Sequence, residues 1–473
     1  MYELTDLFQS EREKLFKRFS NRFEKAYNFN RQVVSFQANK EEPVSRWFKY
    51  KEGFSSALVK YFLTEYYNEP GRLLDPFAGV GTTLFAGQSL GWETHGIELL
   101  PVGIFVVEAR EALQKINPIE FQKSIEKLWI ELKKIKETKT HFNHLSITQD
   151  AFPDETEIAL NKFLTYISTV KNEKIQTVLR FTAFSILEEL SYTRKDGQYL
   201  RWDYRSKRDL NGKPFNKGKI IPFDQALKHK LSQIVSDMSP QNDSLFNYSN
   251  SNKFVPKDIK LIKGTCLEEL PHMNDDFFDF IITSPPYCNR YDYTRTYALE
   301  LAYLGCDNEK VKELRQELLS CTVENKEKLD YLYQLYTDLG RGTTFANVLN
   351  VYNSSAAMNE VNSVLDELNK LNKLNNNNIP RMVRNYFLEL CFVVFEMARV
   401  LKKGGYCVMV NDNVRYGGEE IPVDLILSEF AENFGFDVKK IFVLPRGKGN
   451  SSQQMGNFGR TEIRKCVYLW QKK

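Results

Sequence analysis

Asp75-Pro-Phe-Ala-Gly-Val-Gly-Thr-Thr83 lies between a short apolar run, Gly71-Arg-Leu-Leu74, and a helical pattern opening at Thr83–Ser89. Gly79 and Gly81 permit positive φ and a close approach of backbone to a ligand. The helix that follows offers unpaired N–H groups at its start. A bare Gly-x-Gly also fits a plain strand-to-helix turn. No Gly-Lys-Ser/Thr follows it, so the loop is not a P-loop. The next apolar run, Glu93-Thr-His-Gly-Ile97, ends at Glu98. An acid about 20 positions beyond such a loop is placed to accept hydrogen bonds from ribose hydroxyls.

Working outward, five further runs have the form of buried parallel strands: Ile259–Lys263, Phe278–Ile282, Gly405–Val410, Lys439–Val443 and Cys466–Trp470. Helical periodicity separates many of them, over Arg381–Leu401 and Val423–Asn433 among others. The alternation predicts an open, mostly parallel α/β sheet of seven strands with helices on both faces. The strand spacing is uneven, and two long spans of mainly helical pattern interrupt the core. The predicted organisation is therefore 1–111 as an N-terminal segment with the cofactor half of the core, 112–256 as a helical insertion, 257–305 as the catalytic half, 306–379 as a second insertion, and 380–473 as the rest of the core. The second insertion ends in LNKLNNNNIP, a loop signal ahead of a helix.

Thr283-Ser-Pro-Pro-Tyr287 follows the run FDFIIT, at the strand end where open α/β sheets place their chemistry. The two prolines stiffen the loop. Ser284 can accept a hydrogen bond, and Tyr287 supplies a flat face.

The nine-residue string and TSPPY together resemble motifs I and IV of the S-adenosylmethionine-dependent DNA amino-methyltransferases, a Rossmann-like family that acts on N4 of cytosine or N6 of adenine. The resemblance covers roughly residues 45–110 and 258–473, with the cofactor loop preceding the catalytic loop. It implies that Asp75, Pro76, Phe77, Gly79, Gly81, Thr82, Thr83 and Glu98 hold S-adenosylmethionine. Trp47-Phe-Lys-Tyr-Lys-Glu-Gly-Phe-Ser-Ser56 resembles motif X of the same family, which adds Phe54 and Ser55. Where many members carry an acid after a glycine, this chain has Gly264-Thr265-Cys266, so adenine contacts there fall to backbone groups of Thr265 and Cys266.

The resemblance makes Ser284, Pro285, Pro286 and Tyr287 the catalytic set. The Ser284 hydroxyl and the Pro285 carbonyl would accept the hydrogens of an exocyclic amine whose lone pair is delocalised into its ring. Tyr287, with Tyr291 or Tyr293, would stack a base flipped out of the duplex. The first serine resembles the cytosine-N4 enzymes more than the adenine-N6 enzymes. No Pro-Cys dipeptide offers a carbon-5 nucleophile, and Cys288 reads as packing. An RNA base methyltransferase and a silent nucleic-acid-binding protein are the competing readings.

Net charge is only +4, but Thr193–Lys219 carries nine Lys or Arg against three Asp. The resemblance implies double-stranded DNA as the partner, and the local excess makes this segment the expected reader. Arg194, Lys195, Arg201, Trp202, Arg205, Lys207 and Arg208 are its candidate contacts. The rival is the 306–379 insertion. The polar stretch Pro445–Met455 is a third candidate, as a loop facing DNA or the flipped base. A cognate restriction endonuclease is a partner the resemblance allows. Seven cysteines without CxxC spacing, none in the first half, exclude a disulfide framework and a zinc site; no metal is expected. No apolar run approaches the roughly 18 residues of a membrane span. The N-terminal residues lack the apolar core of a secretory signal, so the expected location is the cytoplasm.

Overall fold

A computed structural model describes residues 10–26, 33–196, 199–208, 214–238, 257–445 and 463–473. Its strands are β1 (Phe23–Lys25), β2 (Arg72–Asp75), β3 (Glu93–Glu98), β4 (Thr193–Asp196), β5 (Tyr199–Trp202), β6 (Lys260–Lys263), β7 (Phe278–Thr283), β8 (Leu401–Asp412), β9 (Val414–Tyr416), β10 (Glu419–Ile421), β11 (Phe436–Val443) and β12 (Lys465–Lys472). One sheet has the order β1-β11-β12-β8-β7-β2-β3-β6, and β4–β5 and β9–β10 form two separate ribbons. From β6 to β8 every pairing is parallel, whereas β12 is antiparallel to both its neighbours.

The main sheet has eight strands rather than the expected seven. The seven expected runs all fall on strands, and the eighth is β1, which pairs parallel to β11 at the sheet edge. Its sequence, Phe-Glu-Lys, is too short and too charged to read as a buried run, and edge strands tolerate such residues. A second departure concerns β8, which begins four residues earlier than its apolar run. Phe278 pairs with Leu401 but Phe280 pairs with Tyr406, so Lys402–Gly405 is accommodated as a bulge inside the strand. The bulge leaves those residues unpaired with β7, so they need not be apolar.

β7 is buried along its whole length, as a strand covered on both faces must be. One face packs Leu74, Ile281 and Met409 against the helices Ile379–Val400 and Val423–Asn433. The other packs Leu73, Phe280 and Val408 against the helix Ser56–Tyr66.

The described helices of the span 112–256 form a layer around a core they share with neighbouring segments. Helices Pro118–Leu132, Asp154–Ile167, Glu173–Leu190 and Phe223–Asp237 gather around Phe163, Leu179 and Phe184, together with the helix Pro101–Gln114. The span 306–379 is different. Val348, Met358, Val361 and Leu365 from its helices join the same core as Ile281 and Met409 and cover the sheet, while Val311, Leu314 and Cys321 pack into the helical layer.

Candidate active site

A cavity with about 780 Å³ of empty space, counting its mouth, opens at the carboxyl ends of β2, β3, β6 and β7. It lies where strand order reverses direction, on either side of β2, the place where open α/β sheets bind ligands. At the end of β2 the buried Asp75 carboxylate accepts hydrogen bonds from the Thr283 hydroxyl (2.7 Å) and the Phe77 N–H (3.1 Å). The first of these ties the two loops together. Burial pushes the Asp75 carboxyl up to about 6, against the opposing bonds from Thr283, Thr83 and Phe77. At the end of β3, Glu98 accepts from the N–H groups of Gly79 (2.6 Å) and Leu100 (2.7 Å). Burial outweighs these bonds and raises its carboxyl to about 7.

The loop is closely packed from behind. Gly79 has φ +53°, and a Cβ on Gly103 would lie 2.5 Å from the Gly79 carbonyl oxygen and 2.9 Å from Glu98 Cγ. Only a glycine at 103 lets the helix Pro101–Gln114 approach this near. The Tyr50 ring lies on the opposite side of the loop, 3.3 Å from where a Gly79 Cβ would stand.

A second, smaller cavity adjoins the first. Lys51, Glu52, Tyr287, Asn289, Tyr291, Tyr293 and Asp412 line it. Tyr291 and Tyr293 meet edge to face at 5.0 Å, and the Lys465 ammonium stands 5.8 Å from the Tyr287 ring centre. Between the cavities, the Ser284 hydroxyl is bonded to the Val410 carbonyl (3.1 Å) and the Tyr287 hydroxyl (3.3 Å). A serine has one hydrogen to donate. Given to Val410, it leaves the Ser284 oxygen as an acceptor.

The larger cavity brings together Phe54, Asp75, Pro76, Phe77, Gly79, Thr82, Glu98, Thr265, Cys266, Ser284 and Pro286. Ser55, Gly81 and Thr83 depart from expectation and do not line it. The Ser55 hydroxyl is spent on the Val33 carbonyl at 2.6 Å. Gly81, with φ +76°, turns the chain into the helix Thr82–Ser89 with its α-hydrogens against Val107. Thr83 is fully buried and reaches the Ile282 carbonyl. Pro285 lines neither cavity, and Tyr287 faces the second. Cys288 is packing: it is fully buried in the core, where burial raises its thiol far above the ordinary value.

Tyr50, Glu52, Leu318 and Leu319 were missed in the sequence although they line the larger cavity. The first two stand inside the aromatic stretch before Phe54, where alternation of Tyr and charge was the available signal. The two leucines come from the second insertion and carried none.

The basic segment forms the β4–β5 ribbon and the turn after it. Its cations divide into two groups. Lys195 departs from expectation: it is 4% exposed and paired with the buried Glu300, so its ammonium is not offered to a phosphate. Arg205 is forked onto the buried Asp203, holding that carboxyl down to about 2 against the desolvation that would raise it. Arg208 caps the Ser146 and Gln149 carbonyls and lies 4.1 Å over Trp202. Arg194, Arg201 and Lys207 remain exposed, although Arg201 and Lys207 each have a surface acid beside them. The ribbon stands beside the second cavity, since the Lys51 ammonium, on the cavity wall, donates to the Lys195 carbonyl. In the Pro445–Met455 stretch, residues 446–455 lie outside the described residues.

The sheet order, with one antiparallel strand next to the edge pair, and the cavity at its switch point define a Rossmann-like methyltransferase. No family model matches the chain. It is 46% identical over 462 residues to the Type II methyltransferase M.AvaI of a Nostoc species, covering 96% of this chain and 92% of that one. It is 42% identical over 479 residues to the Type II methyltransferase M.BsoBI of Geobacillus stearothermophilus, covering 98% and 92%. The Type II methyltransferase M.MvaI of Kocuria varians is a more distant match, 24% identical over 426 residues. The chain belongs to the Type II DNA methyltransferases, the modification enzymes of restriction–modification systems. Among the described residues no helix is long and apolar enough to cross a membrane.

Proposed function

We propose that this enzyme transfers a methyl group from S-adenosylmethionine to N4 of a cytosine flipped out of double-stranded DNA, acting in the cytoplasm beside a cognate restriction endonuclease. The observation that carries this reading is the position of the catalytic loop. Ser284 and Pro286 border the cavity at the sheet's switch point, while Tyr287 borders an aromatic-walled cavity next to it.

The residues fit the cofactor. Glu98 keeps lone pairs beyond its two backbone bonds for ribose hydroxyls, and Gly264–Cys266 and Leu318–Leu319 supply a mostly apolar recess for a ring. The bound cofactor supplies a strongly electrophilic methyl, so alignment does much of the remaining work and can contribute about 7–11 kcal/mol. Ser284 Oγ, which borders the larger cavity, accepts an amine hydrogen and favours a tetrahedral nitrogen. Tyr287 holds the base face. The serine that opens the loop resembles the cytosine-N4 enzymes and supports cytosine over adenine; N6 of adenine is the second reading.

Incubation with S-adenosylmethionine and mixed-sequence DNA, followed by digestion to nucleosides and mass spectrometry, should yield N4-methylcytosine. N6-methyladenine alone would overturn the base assignment, and methylation confined to added RNA would overturn the substrate class. For DNA contact, the exposed pair Arg201→Ala with Lys207→Ala should weaken binding and reduce the salt slope of log K by about 1 per lost phosphate contact. An unchanged slope would move DNA binding to the 306–379 helices.

A further inference from the structure

We propose that Glu52 is the carboxylate that faces the cofactor's sulfonium, giving the site a preference for the charged methyl donor over its neutral demethylated product. This rests on the reading of the larger cavity as the S-adenosylmethionine site.

Among the described residues, only Glu52 and Tyr293 line both cavities. A methyl group passing from one cavity to the other crosses that boundary, so the sulfur that releases it lies against it. The other two acids of the larger cavity line it alone. Asp75 accepts from Thr283 and Phe77, and Glu98 from Gly79 and Leu100, so both brace the loops. Glu52 instead accepts from the hydroxyls of Tyr297 and Tyr291. Tyr297 is stacked on Tyr50 with ring centres 5.2 Å apart, so the carboxylate is held in a wall of tyrosine rings. A compact cation at this boundary meets one negative charge and several aromatic faces, the two features that attract it in a partly dry site. The product, having lost the positive charge, meets the same shape without the attraction.

The test compares S-adenosylmethionine with S-adenosylhomocysteine by calorimetry on the full chain. Glu52→Gln preserves shape and removes the charge. It should weaken the donor about tenfold or more, as loss of one charge partner in such a site implies, and weaken the product far less. Glu52→Asp, which retains the charge, should keep the wild-type ratio even if both affinities fall. On the wild-type protein, sinefungin, which carries an ammonium in place of the sulfonium, should bind more tightly than S-adenosylhomocysteine, with a gap that narrows as salt rises. Equal losses for both ligands in Glu52→Gln would assign Glu52 to the shared methionine ammonium or to bracing the tyrosines, and would overturn the proposal. So would equal wild-type affinities for sinefungin and S-adenosylhomocysteine, the deciding result if Glu52→Gln does not fold. A wild-type protein that binds none of these ligands would instead overturn the cofactor reading itself.

Discussion

Tyr287→Ala is expected to lower turnover by about a hundredfold, the upper range of what one base–aromatic stack is worth, while cofactor affinity stays within about twofold of wild type. Two features make this residue so costly to lose. Its ring lines the second cavity and not the first, so under the proposed function its contribution falls on the base and not on the methyl donor. Its hydroxyl also stands 3.3 Å from Ser284 Oγ, the oxygen proposed to accept an amine hydrogen. Tyr287→Phe separates these roles. It keeps the face and loses the hydroxyl, and should cost less than about tenfold, the size of a single neutral hydrogen bond. Single-turnover kinetics on saturated enzyme with calorimetry for the cofactor reads both effects. A collapse of cofactor binding in Tyr287→Ala would show that the loop holds the fold together and that the stacking role is wrong.

What was legible in the sequence is what local backbone dictates. Asp75–Thr83 and Thr283–Tyr287 are continuous strings whose glycines and prolines set their own geometry, and each occupies a strand end. Glu98 was legible for the same reason, by counting along one βαβ unit. The illegible parts depend on what comes from elsewhere in the chain. Ser55 could not be told apart from a ligand-binding serine without Val33, whose carbonyl consumes its hydroxyl. Glu52 acquires its position from Tyr291 and Tyr297, more than two hundred residues away. Leu318 and Leu319 reach the cavity because the second insertion folds back onto the sheet. β1 forms only because β11 presents an edge to it.

The charge pattern misled for a related reason, since a run of cations shows how many there are and not which are already paired. Lys195 is the sharpest instance, and Lys195→Ala should destabilise the protein by about 3–5 kcal/mol, the cost of breaking a buried ion pair from one side. Its side chain is 3% exposed and that of Glu300 is 1% exposed. The ammonium also lies 4.3 Å from the Tyr297 ring centre. Glu300 Oε2 has no hydrogen-bond partner among the described residues, so without Lys195 only a backbone N–H would compensate the carboxylate. The pH dependence has a definite sign. Burial already holds the Glu300 carboxyl above its ordinary value, with Lys195 pulling the other way. In the single variant that opposing pull is gone, so stability is present below the ordinary carboxylate range and lost as pH rises through the raised value. Lys195→Met combined with Glu300→Leu should recover most of the loss, because an apolar pair of similar volume often replaces a buried ion pair at little cost. Urea denaturation of the single and double variants measures both. A phosphate-binding lysine would give the opposite pattern: unchanged unfolding in Lys195→Ala, a shallower salt dependence of DNA binding, and no rescue by the second substitution.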